Sequence, residues 1–229
     1  MTDSAGTDPA RTDPIRIDVV SDVVCPWCFI GKKRLEQAIA LNPDIPVEVH
    51  YHPYFLNDWI PAEGISREEY LTTKFGSPER YKEIATRVSA AAAQDGLVYA
   101  IDKLSRQPNT TDSHRLIHWA DQIGKAPQMK QRLMELYFSE GADLSDKSVL
   151  AKAAADIGLD ADEVAKKLES DDDLAIVSQR VEQAKTAGIQ GVPFFIFDNA
   201  MAVSGAQAPE QLAGVIRKAA DERKQKVAG

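Results

Sequence analysis

Cys25 and Cys28, separated by two residues, are the groups in this chain best suited to chemistry, and they are its only cysteines. A Cys-x-x-Cys pair closes a small ring on oxidation and reopens with little backbone movement. It can therefore cycle between dithiol and disulfide, or supply half of a zinc site. The residues between the thiols are Pro26 and Trp27. Pro26 stiffens the loop. Trp27 carries no titratable proton, so it cannot hold a thiolate as an imidazolium would. A zinc site needs a second pair of ligands, and His114 and His118 share a helix face at H-x3-H spacing. Yet 85 residues, 29–113, separate the two pairs, where a zinc finger uses about 12–15. No metal is expected, and the redox reading leads.

The neighbouring elements should activate one thiol over the other. Ile15–Ser21 reads as a buried strand bounded by Pro14 and by Ser21-Asp22. A helix should begin at Pro26, where proline's missing N–H costs nothing, and run to about Leu41. Cys25 then stands at the helix cap, beside unpaired backbone N–H groups and the positive end of the dipole. It is expected to be the partly exposed, attacking sulfur, with its pKa below the free value of about 8.5. Cys28, one turn further, is expected to be the buried, resolving thiol. Far downstream, Gly191-Val192-Pro193 precedes the apolar run Phe194–Phe197. Proline is tolerated at the first position of a strand. Set beside the thiols, it would offer the carbonyl and N–H of Val192 to an extended backbone.

The rest of the chain supplies the frame. Val47–Tyr51 alternates as a second strand. From Ser66 to Ala187 nearly everything reads as helix. Ser66 and Glu69 form a capping box, Gly76 ends that helix, and Ser77-Pro78 opens the next. Further helices are signalled at about 112–123, 127–140, 146–157 and 160–169. Asp171-Asp172-Asp173 should fill the first turn of a last helix in this block, where the dipole favours negative charge. Strand character returns at Phe194–Phe197, turns at Asp198-Asn199, and pairs back through Met201–Ser204. Pro209 opens a C-terminal helix. The result is an α/β chain in which two halves build one sheet and a helical block is inserted between them. Trp119, spaced helically from Leu116 and Ile123, belongs to a core. His50 and His52 fall at a sheet surface or end, and Lys32-Lys33-Arg34 reads as a solvated face able to draw an anion towards Cys25.

Composition narrows the function classes. The chain has 229 residues, 44% of them hydrophobic, and 27 basic against 35 acidic residues give a net charge of −8. That balance argues against nucleic acid and anionic membrane surfaces as partners. No apolar run approaches the ~20 residues that span a bilayer. Residues 1–13 have no apolar stretch of the signal-peptide kind and read as a disordered tail. A cytoplasmic location is expected, where a lone dithiol is more often catalytic than structural.

Four stretches together resemble a known family: Ser21-Asp22-Val23-Val24-Cys25-Pro26-Trp27-Cys28, His52-Pro53-Tyr54-Phe55-Leu56-Asn57, Asn109-Thr110-Thr111-Asp112-Ser113-His114-Arg115-Leu116, and Gly191-Val192-Pro193-Phe194-Phe195. The chain resembles the DsbA family of thioredoxin-like oxidoreductases. It is most similar to the FrnE-like branch, which is related to 2-hydroxychromene-2-carboxylate isomerases and kappa-class glutathione transferases. The resemblance implies a thioredoxin fold from 14–62 and 171–225, with an all-helical domain, 63–170, inserted. It implies a cis-Pro193 and thiol–disulfide exchange at Cys25 and Cys28, in a site shaped by Pro26, Trp27 and Pro193. Val192, His114 and Asn57 would contact substrate.

Two departures from the family pattern bear on function. Exported oxidases of the family carry histidine where Trp27 stands, and the glutathione-dependent branch carries serine where Cys25 stands. The leading expectation is a cofactor-free oxidoreductase acting on a disulfide- or dithiol-containing protein or a small-molecule thiol. The alternative takes glutathione as co-substrate to isomerise or conjugate an aromatic or polyketide-like molecule, in a pocket lined by Trp27, Tyr54, Phe55 and Trp59. A third reading is a non-catalytic binding module using the groove beside Pro193. The oligomeric state is left open.

Overall fold

The computed structural model describes residues 13–228, so the tail expected at 1–13 lies, Asp13 apart, outside the described residues. Strand β1 (Ile15–Ser21) is joined through helix α1 (Pro26–Ala40) to β2 (Val47–Pro53). The two strands are parallel, with Ile17 opposite Val49, and α1 supplies the crossover that a parallel pair needs. β1 is buried almost throughout because both faces of the sheet are covered, which explains its nearly unbroken apolar sequence.

The second half of the chain completes the sheet. β5 (Phe194–Phe197) lies antiparallel on the other side of β1, with Val19 opposite Phe195, and β6 (Met201–Ser204) pairs back onto β5. The order is β2-β1-β5-β6. Asp198 and Asn199 turn the hairpin at φ of 55° and 54°, a conformation their short polar side chains tolerate. α9 (Pro209–Ala228) packs beside α1 on one face of the sheet. Ile17, Leu35, Phe195, Phe197, Leu212 and Ile216 fill that layer without access to water.

Between the halves run β3 (Ile65–Ser66), α2 (Arg67–Phe75), α3 (Pro78–Gln94), β4 (Arg106–Gln107), α4 (Thr111–Asp121) and α5 (Ala126–Glu135). A π-helical turn, Leu136–Glu140, continues α5, and α6 (Lys147–Asp156), α7 (Ala161–Leu168) and α8 (Leu174–Thr186) follow. The Ser66 hydroxyl accepts from Glu69 N at 3.1 Å, as a capping box requires. β3 pairs with β4, a bridge too short to leave any periodicity in the sequence.

Three expectations are corrected here. Asp171, Asp172 and Asp173 precede α8 rather than filling its first turn, and Asp173 is left-handed at φ 61°. Its carboxylate accepts instead from Trp119 Nε1 at 2.8 Å. Trp119 is core, but Ile123 lies beyond the end of α4 and is exposed. The basic run in α1 is not a solvated face. Lys32 is buried, paired with Glu36 and donating to Gln131 Oε1 at 2.8 Å, while Arg34 binds Asp95 at 2.7 Å.

Gly31 sets how closely α1 meets the loop before β5. A Cβ there would lie 2.8 Å from Pro193 Cγ and 3.3 Å from the Phe195 ring. Neither the proline ring nor a fully buried phenylalanine can give way cheaply. Gly31→Ala is therefore expected to destabilise the fold by about 1–3 kcal/mol, read from urea unfolding midpoints at unchanged slope.

Candidate active site

Cys25 is the last residue before α1, with extended backbone (φ −88°, ψ 113°), and its carbonyl accepts from Cys28 N at 3.0 Å and Phe29 N at 3.2 Å. Its side chain takes no helix N–H as a cap. Instead Sγ lies 3.6 Å from the Val192 carbonyl, with the thiol as donor. The Val192–Pro193 peptide bond is cis. Cys25 is only 3% exposed, not partly exposed as expected from a cap position, because it is enclosed in a core that includes Val24, Phe29 and Phe138. Cys28 is equally buried, and both are free thiols. Burial pushes the Cys28 thiol well above the ordinary cysteine range and the neighbouring Cys25 adds to this, while Lys130 opposes it.

Three charged or titratable groups are sealed around the thiols. Asp22, one residue past β1, has no exposure. Its Oδ1 accepts from Val23 N at 2.7 Å and meets His114 Nε2 at 3.2 Å, and its Oδ2 accepts from Leu56 N at 2.8 Å. His114, on α4, is buried with its ring 5.9 Å from that of Phe55. Burial, which favours the neutral ring, lowers its pKa against the opposite pull of Asp22. Lys130, on α5, is fully buried and its Nζ has no hydrogen-bond partner among the described residues. It rests 5.5 Å from the centre of the Tyr51 ring. Burial pushes its pKa down to about 8, against attraction to Cys28, Asp22 and Cys25.

A cavity of about 220 Å³ opens on Cys25. Pro26, Trp27 and Val192 line it with Cys25, whereas Cys28, His114, Asn57 and Pro193 are not among its lining residues. Trp27 is 38% exposed. The other aromatic residues expected in such a pocket are elsewhere. Phe55 packs on His114, Tyr54 packs near Val20 and Ala184, and the exposed Trp59 stacks on Tyr70 without lining the cavity. The rings that do line the cavity are Tyr70, Phe75, Tyr81, Tyr99, Tyr137 and Phe138, with Arg67 and Lys74 among them. Asn57 is buried, and its amide oxygen accepts from Lys74 Nζ.

Sequence comparison decides the family. The DSBA-like thioredoxin domain pattern matches residues 16–217. The chain belongs to that family. This DsbA-like protein is 28% identical over 210 residues to the uncharacterized protein YwbO of Bacillus subtilis (strain 168), covering 91% of this chain and 97% of that one. Its structure is similar to that of a probable DsbA oxidoreductase from Streptomyces coelicolor, with a TM-score of 0.84 and 31% identity over 91% of both chains. It also shares its fold with the cytosolic disulfide reductase DsbM from Pseudomonas aeruginosa, solved with GSH. There the TM-score is 0.64 at 16% identity, covering 89% of this chain and 98% of that one. The fold is thus the thioredoxin-like DsbA fold, α/β, as the sequence resemblance implied.

Lys130 and the cations of the cavity escaped the sequence reading. A signal for Lys130 was present: with Ala126, Met129, Leu133 and Met134 it occupies the apolar stripe of α5, where a lysine is out of place. Arg67, Tyr70 and Lys74 left no such signal, since α2 is short and mostly polar, with Tyr70 its only buried residue.

The Lys130 ammonium has a calculable effect on stability. The unfolded chain keeps that proton to 10.5 and the folded chain only to about 8. Between these values the unfolded state binds more protons, so stability rises with pH across that window. Below pH 8 the full penalty, about 3 kcal/mol, is present. Lys130→Met, similar in shape and uncharged, is expected to stabilise the protein at pH 7 by a margin that shrinks towards pH 10.5. Paired urea titrations of both proteins across this range check it.

Proposed function

We propose that this DsbA-like protein is a cytoplasmic thiol–disulfide oxidoreductase centred on Cys25-Pro26-Trp27-Cys28. The observation that carries the reading is the placing of two free thiols at the start of α1, with the outer sulfur against the Val192 carbonyl and open to a cavity. Residues 14–62 and 171–225 act as the thioredoxin-like domain, and 63–170 as a helical insert that roofs the site.

In this mechanism the Cys25 thiolate attacks a substrate disulfide through the cavity, forming a mixed disulfide and releasing one thiolate. Cys28 then gives up its proton and attacks the Cys25 sulfur, releasing the second thiolate and leaving Cys25–Cys28 oxidised. The Lys130 ammonium favours the Cys28 anion that this second step needs, against the burial that disfavours it. Once Cys25 is engaged, its hydrogen bond to Val192 is released and that carbonyl is free to accept from the substrate. Pro26 and Pro193 hold the two loops in place. His114 positions Asp22, and Asn57 reaches the substrate through Lys74.

A second reading keeps glutathione as co-substrate. It is favoured by the small-molecule scale of the cavity and by the fold shared with DsbM solved with GSH. Calorimetric titration of the Cys25→Ser protein with millimolar glutathione tests it, and saturable heat is the expected sign of such a site.

Cys25→Ser is expected to abolish insulin reduction driven by dithiothreitol, because the remaining cysteine, Cys28, is buried away from the cavity with its thiol pushed up by burial. Cys28→Ser should instead accumulate the mixed disulfide, visible as a mass increase that dithiothreitol reverses. Retained turnover in Cys25→Ser would overturn the mechanism. With Trp27 in place of a cation, the reduction potential is expected nearer thioredoxin's ~−270 mV than the ~−120 mV of a strong oxidant. Equilibration against glutathione redox buffers measures it.

A further inference from the structure

The cavity at Cys25 has a composition that thiol exchange alone does not require. Six tyrosine and phenylalanine rings line it, and among the described residues no aspartate or glutamate does. Two cations nevertheless face it. The Arg67 guanidinium lies 5.0 Å from the centre of the Tyr70 ring and 5.1 Å from that of Tyr81. The Lys74 ammonium lies 5.5 Å from the Tyr70 ring. Among the described residues neither is in an ion pair with a carboxylate.

Their hydrogen-bonding capacity is largely unspent. Arg67 Nη1 donates to Gln107 Oε1 at 2.8 Å, and Lys74 Nζ donates to the Asn57 amide oxygen. A guanidinium has five N–H donors and an ammonium three. Partial burial lowers the Lys74 pKa while Cys25 and Asp22 pull it back up, and the side chain stays exposed on the wall that also carries Cys25. Arg67 is half-buried and Lys74 exposed, so both cations are within reach of an incoming ligand, and an anion bound there would complete donors that now face the tyrosine rings and water. The cavity's 220 Å³ is also below the roughly 300–1,000 Å³ typical of drug-sized ligand sites. That is the scale of a small molecule.

We propose that the substrate taken at this cavity is a small disulfide of an aromatic thiol bearing a carboxylate. The ring lies among the tyrosine and phenylalanine side chains, the carboxylate meets Lys74 and Arg67, and the sulfur faces Cys25. This rests on the exchange chemistry proposed above. The Cys25 thiolate bonds to the nearer substrate sulfur as the substrate S–S bond breaks, and the other aryl thiolate leaves with the electron pair. Cys28 loses its proton to water and attacks Cys25, expelling the second aryl thiolate. The protein dithiol is oxidised by two electrons, and the disulfide is reduced to two thiols. A dithiol reductant returns the protein to its starting state.

Single-turnover mixing of the pre-reduced full chain needs no co-reactant and tests the inference. The probes are bis(carboxynitrophenyl) disulfide, which is aromatic and anionic, and dipyridyl disulfide, which is aromatic and neutral. Lys74→Met and Arg67→Gln are each expected to lower the anionic-to-neutral rate ratio about tenfold, as for loss of a charge-assisted hydrogen bond. Lys74→Arg should recover most of that ratio, which a merely misfolded variant would not. A second measurement is independent of exchange. The protein carrying Cys25→Ser and Cys28→Ser should bind the methyl thioether of carboxynitrobenzenethiol, quenching tryptophan fluorescence through Trp27, and Lys74→Met should weaken that binding. Exchange at an unchanged ratio in both cation variants overturns the anion site and leaves the oxidoreductase reading standing. Binding of the thioether with no exchange by the wild type overturns the disulfide substrate and the oxidoreductase reading together.

Discussion

A carboxylate without access to water, that of Asp22, joins three parts of the chain that are remote in sequence. It takes the Val23 amide from the β1–α1 junction, the Leu56 amide from the segment after β2, and His114 from α4. A buried carboxylate persists only when its oxygens are satisfied. The helical insert must therefore approach the sheet closely enough to bring His114 within reach, and the segment after β2 must fold back over the same point. Cys25 begins its helix three residues later. The position of the reactive sulfur is thus tied to the docking of the insert, and the insert encloses a thiol that a bare helix cap would leave open.

That enclosure changes the electrostatics of the pair. At an exposed cap, helix amides and bulk water would share the stabilisation of a thiolate. Here Cys25 turns towards the Val192 carbonyl, and Cys28 lies in a core with Met129 and Leu133. The cation nearest Cys28 in effect, Lys130, comes from α5 and not from the redox motif. Lysine in so dry a place destabilises the fold near neutral pH, and such a cost is commonly carried by groups that chemistry uses. The insert supplies Lys130, whose charge acts on Cys28, and Lys74 and Arg67, which line the cavity at Cys25. Cations from one structural block therefore act on both thiols.

Much of the fold was legible because it rests on local rules. β1, β5 and β6 were read with the bounds the structure has, from β-branched or aromatic runs bounded by proline and turn residues. The starts of α1, α3 and α9 follow from proline at the first helical position, and that of α2 from its Ser66 cap. Local rules misplaced the three aspartates before α8, because a tertiary bond from Trp119 holds Asp173 in a left-handed turn. They also misplaced Lys32, whose burial depends on Gln131 from a helix about a hundred positions away.

By itself the sequence determined the dithiol, the strand and helix on either side of it, and the proline loop that meets it. Each depends on residue types within a few positions of one another. Only the tertiary structure decided that Cys25 is buried, that its neighbours in the cavity are Arg67, Tyr70 and Lys74, and that the charge of Lys130 reaches Cys28. These are matters of packing between elements separated by tens of residues. A polar residue on a short helix reads as solvated until the fold shows which surface covers it.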